Sequence, residues 1–128
     1  MSIGLHHVAY ACRDLAATHR FYGEMLELPL VNTELTKAGD GWFRHVFYEL
    51  EGGGAIAFFD LHGMGEPAPV KTAISTDLGL PIWVNHIALK VSRERQKALE
   101  RRAREFGCDV AMKLDHGWCW STYLTDPN

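Results

Sequence analysis

The feature that most constrains the fold is an internal repeat. The stretch HVAYACRDLAA, which begins at His7, aligns without a gap with HIALKVSRERQ, which begins at His86, an offset of 79 residues. In both copies an alternating apolar run, typical of a strand, is followed by a helical pattern. A duplicated module explains an offset shared by a strand and a helix better than coincidence does.

The first copy continues into a longer series of predicted elements. Asp14 is placed to cap a helix over residues 15–26, because apolar side chains recur there at helical spacing. Alternating runs separated by turns that contain glycine or proline predict strands on either side of that helix. The predicted strands of the first half are 5–12, 28–35, 42–50 and 55–61.

A stretch rich in glycine and proline, residues 62–81, separates the two copies and is predicted to be a connector. After it, the sequence predicts a strand, a helix and two more strands. Their predicted ranges are 84–91, 92–107, 108–115 and 118–126, with Ser92 as the N-cap and Gly107 at the end of the helix.

One helix per copy and short turns between strands indicate an α+β fold rather than a doubly wound parallel sheet. The expected organisation is a single domain, 1–128, built from module one (1–62), a connector (63–81) and module two (82–128). Module two has one strand fewer than module one, and we expect its last strand beyond Asn128.

Composition excludes several classes of function. The chain has 128 residues, 47% of them hydrophobic and 23% charged, as in ordinary globular domains. A formal net charge of -3 argues against nucleic acid as a partner. No apolar run approaches the roughly 20 residues that span a bilayer, and the N-terminus lacks a signal-peptide pattern. Three cysteines without CxxC spacing indicate reduced thiols, so we expect a cytoplasmic protein that contacts no membrane.

Two histidines occupy equivalent positions of the repeat, each at the mouth of a predicted strand. If a pseudo-twofold axis relates the modules, His7 and His86 face each other across a cleft. Divalent metals accept imidazole nitrogens, and one or two carboxylates usually complete such sites. We therefore predict that both histidines bind a metal, although each ring bonding a backbone carbonyl remains the alternative. His6 has the opposite strand parity and is expected to point away from the cleft.

These residues resemble a known family. The stretches HHVAYACRDLAATHRFYGEMLELPL, NHIALKV and STYLTDPN look like the vicinal oxygen chelate superfamily, which includes glyoxalase I, type I extradiol dioxygenases, and fosfomycin- and bleomycin-resistance proteins. The resemblance covers essentially the whole chain. It implies two βαβββ modules that form a curved, barrel-like mixed sheet around a metal, and a homodimer.

The resemblance also implies a set of metal ligands. His7 and His86 match the first-strand ligands of the family. The position matched to a family glutamate on the fourth strand holds Phe58, and Asp60 is a weak alternative ligand on the same strand face. The third ligand is expected to be a glutamate beyond Asn128. A 2-His-1-carboxylate set of this kind suits Fe(II) first, with Mn(II), Zn(II) or Ni(II) as alternatives.

A further match favours the dioxygenase members. Ser121, Tyr123 and Pro127 follow the pattern S-x-Y-x-x-x-P of extradiol enzymes. The resemblance implies that Tyr123 and His116 are catalytic residues that manage protons and stabilise a developing anion. The alternatives are an ordinary strand aromatic for Tyr123 and a turn residue for His116.

The predicted function is a ring-cleaving extradiol dioxygenase that depends on a divalent metal and acts on a catechol-type aromatic. One alternative is a glyoxalase-like lyase, isomerase or epimerase, which acts on another oxygen-chelating substrate. The other is a metal-free protein that binds a small ligand, like the bleomycin-resistance proteins.

Overall fold

The computed structural model describes residues 1–65 and 70–128. Residues 66–69, which belong to the predicted connector, lie outside the described residues. The described residues divide into two compact units. Unit 1 contains Met1–His86 and Pro127–Asn128, and unit 2 contains Ile87–Asp126.

Unit 1 is organised around a mixed sheet whose described residues form four strands in the order β1-β4-β3-β2. β1 pairs parallel with β4, and the other neighbouring pairs are antiparallel. The turn between β2 and β3 uses Gly39 at φ +59°, a conformation that glycine adopts without steric cost. The strands are β1 (His7–Ala11), β2 (Leu30–Ala38), β3 (Gly41–Glu49) and β4 (Ala55–His62), which confirms the four strands predicted for the first half.

The helix predicted over 15–26 is present, but only its first part is α-helical. α1 spans Leu15–His19, and the Asp14 carboxylate caps it by accepting a hydrogen bond from the Ala17 amide at 3.0 Å. The chain then continues as a π-helical segment, Arg20–Met25. A short helix, α2 (Ile74–Asp77), lies in the second half of the predicted connector.

The core of unit 1 lies between this helical stretch and one face of the sheet. Tyr48, Ile56 and Phe58 are each at most 1% exposed, and the Tyr22 ring lies 4.7 Å from the Phe58 ring. Burial raises the pKa of the Tyr48 phenol to about 12. Burial is also the main reason that the pKa of the Cys12 thiol rises to about 11, with a contribution from the Asp60 charge. Both groups are therefore neutral near pH 7.

Unit 2 is a helix with a hairpin. α3 (Arg93–Glu105) begins at Ser92, whose hydroxyl accepts a hydrogen bond from the Arg95 amide at 3.1 Å. The described residues of the unit form one antiparallel pair, β5 (Val110–Asp115) and β6 (Trp120–Leu124). These bounds confirm the helix and the two strands predicted after it.

A three-residue polar network ties α3 to the hairpin. The Glu100 carboxylate on α3 accepts hydrogen bonds of 2.6 Å from Lys113 on β5 and from Thr122 on β6. These two bonds are the main reason that the pKa of Glu100 lies below its ordinary value. The charge on Glu100 therefore stabilises unit 2.

The strand predicted over 84–91 is wrong, because these residues form no strand and all of them are exposed. Unit 1 gives the physical reason. There, β1 is the sheet edge, and it pairs with β4, which follows β3 in the chain. The described residues after β6 supply no strand in the position of β4, so the alternating run 84–91 has no ladder to join.

The α+β class is confirmed, with the mixed four-stranded sheet and small helices expected of a βαβββ module. In the described residues the sheet is not closed into a barrel. None of the described helices combines the length and the apolar character that crossing a bilayer requires.

Candidate functional site

The sheet of unit 1 has two faces with different side chains. The face opposite the core carries His7 on β1, whose neighbour across the parallel pair is Ala55. Small side chains continue along this face, with Ala9 opposite Ala57. Aromatic side chains of β3 and β4 flank this alanine floor, where Ala57 is fully buried. They are Phe43, His45, Phe47 and Phe59.

His7 lies at the start of β1, and its ring is close to the imidazole of His45 and the phenyl ring of Phe47. Its ring centroid is 5.5 Å from that of Phe47 and 6.3 Å from that of His45. Its Nδ1 lies 2.7 Å from Nδ1 of His6, so one of the two rings donates this hydrogen bond to the other. Because that bond occupies Nδ1, Nε2 of His7 is the nitrogen left to meet a ligand.

The contact of His6 with His7 corrects the expectation that His6 points away. Strand alternation does not apply to His6, because β1 begins one residue later. A second nitrogen held by a hydrogen bond is typical of histidines that bind metals, since that bond fixes the tautomer and the ring orientation. His6 can do this for His7.

His45 is the most deeply buried imidazole on this face. Its side chain is stacked on Phe59, with ring centroids 3.7 Å apart and planes 13° apart, and tilted against Phe47 at 4.2 Å. Desolvation is the main cause that lowers the pKa of His45, and the Glu34 carboxylate opposes it. His45 is therefore neutral near pH 7.

The Nε2 atom of His45 is buried without a hydrogen-bond partner, and it is the one such side-chain nitrogen or oxygen in residues 1–65 and 70–128. Leaving a buried polar atom unsatisfied costs about 1–3 kcal/mol. The sequence makes His45 one of the weaker candidates, because it belongs to one of two faces of its strand and either face could line the cleft. Alternation in WFRHVFYEL places His45 with Phe43 and Phe47 on one face, and Trp42 with Arg44 and Tyr48 on the other. The pairing of β3 with β4 is needed to assign His45 to the face of His7.

Asp60 and Phe58 lie on the other face. Their partners across β3 are Arg44 and Val46, and Phe58 is part of the core. The Asp60 carboxylate is 3.0 Å from Nε2 of His62. Asp60 therefore does not share the face of His7.

A cavity of about 510 Å³ lies on that core side of the sheet, at the first turns of the helical stretch. His19 reaches it from α1 and shares a 2.9 Å hydrogen bond between its Nδ1 and the Tyr48 hydroxyl. His19 packs against Gly23, where a Cβ atom would meet the His19 ring at 2.5 Å. The cavity lining comprises Leu15, Ala16, His19, Leu30, Thr33, Arg44, Val46, Tyr48 and Asp60.

His86 is the last residue of the long segment of unit 1, and it is exposed. Its Nδ1 lies 3.1 Å from the Trp83 carbonyl oxygen and 3.3 Å from the Val84 carbonyl oxygen. This geometry matches the alternative in which the ring bonds a backbone carbonyl. The convergence of His86 with His7 stays a prediction.

His116 and Tyr123 belong to unit 2. His116 is exposed in the turn between β5 and β6, and its amide donates a 2.9 Å hydrogen bond to the Cys119 carbonyl. Tyr123 lies in β6, half-buried and opposite Met112. Their catalytic roles stay predictions.

The donor atoms present can be tested against the metal site that the sequence predicts. Within residues 1–65 and 70–128, no group of three His, Cys, Asp or Glu side chains is arranged to hold a metal ion. His7 and His45 supply neighbouring imidazoles on one face, and by register Glu34 and Glu49 share that face. The described residues therefore contain parts of a donor set rather than a complete one.

Comparison with known proteins matches this architecture. The model of the Glyoxalase/Bleomycin resistance protein/Dioxygenase superfamily matches residues 4–128. A solved glyoxylase/bleomycin resistance protein/dioxygenase domain from Frankia sp. EAN1pec is 22% identical, with a TM-score of 0.70 over 99% of this chain and 91% of that chain. No curated protein is significantly similar in sequence.

Two further solved structures have names that state an activity. One is a mutant of the fosfomycin resistance protein FosX from Listeria monocytogenes in complex with Mn(II) and 1S,2S-dihydroxypropylphosphonic acid. It is 19% identical, with a TM-score of 0.66 over 98% of this chain and 86% of that chain. The other is the oxidase ChaP-H2, which is 20% identical, with a TM-score of 0.63 over 100% of this chain and 88% of that chain. At these identities the similarity shows the fold alone.

Proposed function

Because the chain belongs to the glyoxalase/bleomycin resistance protein/dioxygenase superfamily, we propose that it is a divalent-metal enzyme acting on a small molecule that chelates the metal through oxygen atoms. The observation that carries the proposal is the position of His7. His7 is the first residue of β1, and its Nδ1 is hydrogen-bonded to His6. It lies on the face with the alanine floor, beside the ring of Phe47. This combination offers one oriented imidazole nitrogen beside an apolar surface.

The finer proposal is ring cleavage of a catechol-type aromatic by an extradiol dioxygenase that uses Fe(II). The aromatic walls support it, because rings at stacking distance from a flat substrate contribute dispersion and quadrupole contacts. A bound cation would polarise the substrate oxygens. His86 and a carboxylate are proposed as further ligands, and Tyr123 and His116 as the residues that handle protons.

Metal content tests the general proposal. Purified wild-type protein is expected to hold close to one equivalent of divalent metal, and His7→Ala and His86→Ala are expected to lose most of it. His62→Ala is the matched control, since His62 is an exposed imidazole paired with Asp60 on the other face. Negligible metal in wild type and all variants would contradict the enzyme proposal.

Oxygen uptake tests the finer proposal. Fe(II)-loaded protein with a panel of catechols is expected to consume O₂ and form ring-opened products, and His7→Ala is expected to lose this activity. If the protein binds metal but consumes no O₂ with any catechol, the dioxygenase proposal fails. Lyase, isomerase or epimerase chemistry on another oxygen-chelating substrate would then remain.

One observation favours a second candidate, a metal-free protein that binds a small hydrophobic ligand. The described residues contain no group of three metal donors, while the aromatic face needs no metal to hold an apolar molecule. Equilibrium binding in the presence of EDTA separates the two candidates. A binder retains its affinity for an aromatic ligand in EDTA, whereas a metal-dependent enzyme loses it.

We also propose a cytoplasmic homodimer. The three cysteines are free thiols, as a reducing compartment would keep them. β2 is a sheet edge with exposed apolar side chains, among them Leu35 at 69% exposure, and such an edge is a candidate contact between two copies. Light scattering of purified protein tests the dimer, and a monomer at micromolar concentration would contradict it.

A further inference from the structure

His45 has the contacts of a core residue but not the hydrogen bonds of one. Its side chain is 7% exposed, and two phenyl rings hold the imidazole plane in place. Buried polar atoms are nearly always satisfied, so an unsatisfied Nε2 needs an explanation. A buried polar atom without a hydrogen-bond partner, next to a candidate site, is commonly one that hydrogen-bonds a ligand.

The position of His45 indicates which ligand that is. The His7 and His45 rings are 6.3 Å apart and inclined at 65° to each other, on the face with the alanine floor. Because Ala57 is fully buried and Nε2 of His45 is covered, a small molecule held at His7 reaches Nε2 only when a covering side chain moves aside. Phe47 contacts both imidazoles and is one of the side chains that cover His45.

We propose that His45 binds substrate, and that its Nε2 makes a hydrogen bond to a hydroxyl or carbonyl oxygen of the molecule held at His7. This inference deepens the proposed function and rests on it. A buried imidazole with one ring face on Phe59 selects a ligand that combines an oxygen with a flat apolar body. The assigned substrate class is therefore an oxygenated aromatic rather than an aliphatic polyol.

A substrate-binding role and a structural role predict opposite effects of substitution on stability. If Nε2 is unsatisfied until substrate binds, His45→Leu removes a buried polar atom and leaves the ligand-free protein as stable as wild type or more so. If His45 is a satisfied core residue, the same substitution lowers the melting temperature. His45→Gln retains an amide donor and is expected to preserve part of the binding.

His19→Leu provides the matched control within the same unit. His19 is a half-buried imidazole on the opposite face, and it has a partner in the Tyr48 hydroxyl. Its removal leaves a buried hydroxyl unsatisfied, so His19→Leu is expected to lower the melting temperature by several degrees. It is expected to leave ligand affinity unchanged.

The experiment measures the melting temperature without ligand and the binding of 4-nitrocatechol, followed by its absorbance, with Mn(II) and with EDTA. Relative to wild type, His45→Leu is expected to raise the dissociation constant at least tenfold with no loss of melting temperature, and His45→Gln to raise it less. A lower melting temperature with unchanged affinity would overturn the proposal. So would an absence of 4-nitrocatechol binding by wild type.

The two proposals fail in different ways. Failure of the metal enzyme appears as equal binding of 4-nitrocatechol in Mn(II) and EDTA, together with equal metal content in wild type and His7→Ala. Failure of the His45 assignment appears in the comparison of His45→Leu with wild type under either condition. The melting temperature needs no ligand, so its result holds whichever metal the protein binds.

Discussion

The two copies of the repeat start from similar sequence and reach different secondary structure. The run HVAYA in unit 1 becomes β1, whereas HIALK, its equivalent at an offset of 79 residues, forms no strand and is exposed. The two runs have similar alternation and apolar content, so propensity does not separate them. The difference is β4, which gives β1 a parallel ladder. A strand of this type therefore depends on a partner that lies far along the chain.

The largest expected effect comes from damaging the strand that makes the difference. Phe58→Ala empties a fully buried position on β4, where the ring packs against Tyr22, so unfolding of unit 1 is expected to become easier by about 3–5 kcal/mol. Urea denaturation combined with amide hydrogen exchange measures the loss unit by unit. Unit 2 is expected to keep its exchange rates, and equal losses in both units would contradict the comparison.

A smaller effect compares equivalent residues of the repeat directly. Val8 on β1 is half-buried and packs against the core of unit 1, while its equivalent Ile87 is 37% exposed. Val8→Ala is expected to cost roughly 1–2 kcal/mol, and Ile87→Ala less than about 0.5 kcal/mol. Denaturant midpoints of the two variants check this. A cost at Ile87 equal to that at Val8 would mean that 84–91 has a packed partner in solution.

This contrast also explains how far the sequence could predict the fold. Alternation located the strands of unit 1 to within a few residues because their partners are present. It failed at 84–91, where the pattern was as clear, because pairing is not a local property. The sequence therefore predicts elements better than it predicts whether an element finds its ladder.

The candidate site also depends on strand pairing. The repeat predicts His7 as a metal ligand, whereas Phe58, at the position matched to a family ligand, lies in the core. Within a strand, a shift of one residue exchanges the two faces, so Ala57 and Phe59 lie on the side of His7. His45 was visible in the sequence as one of two alternating sets. Only the pairing of β3 with β4 shows which set faces His7.

A third prediction concerns the polar network that unit 2 uses in place of a large core. Glu100→Gln weakens the bonds from Lys113 and Thr122 and is expected to cost roughly 1 kcal/mol, since Lys113 is half exposed. The pKa of Glu100 is lowered in the folded protein, so its stabilisation is present above the ordinary value of 4.5 and is lost as the pH falls through the folded pKa.

Hydrogen exchange in β5 and β6 measures this effect. Wild type and Glu100→Gln are expected to differ at about pH 7 and to converge as the pH falls through the folded pKa of Glu100, below which the wild-type carboxyl is also neutral. Exchange in β3 and β4 serves as the control, because Lys113 and Thr122, which bond Glu100, belong to unit 2. A difference that persists unchanged into acid would show that the charge on Glu100 is not what stabilises the hairpin.

The smallest expected difference is between the free-energy costs of removing the N-caps of α1 and α3. It tests whether the two copies of the repeat differ only in strand formation. α1 and α3 begin in the same way, with an Asp14 carboxylate and a Ser92 hydroxyl that each accept a backbone hydrogen bond at 3.0–3.1 Å. Asp14→Ala and Ser92→Ala are each expected to cost about 1 kcal/mol, and the two costs to agree within roughly 0.5 kcal/mol. Denaturant midpoints with exchange rates in each helix check this agreement.

Similar costs mean that helix initiation is equally well specified in both units, so the absence of a strand at 84–91 follows from strand pairing. A much smaller cost for Ser92→Ala would instead mean that unit 2 as a whole is loosely folded.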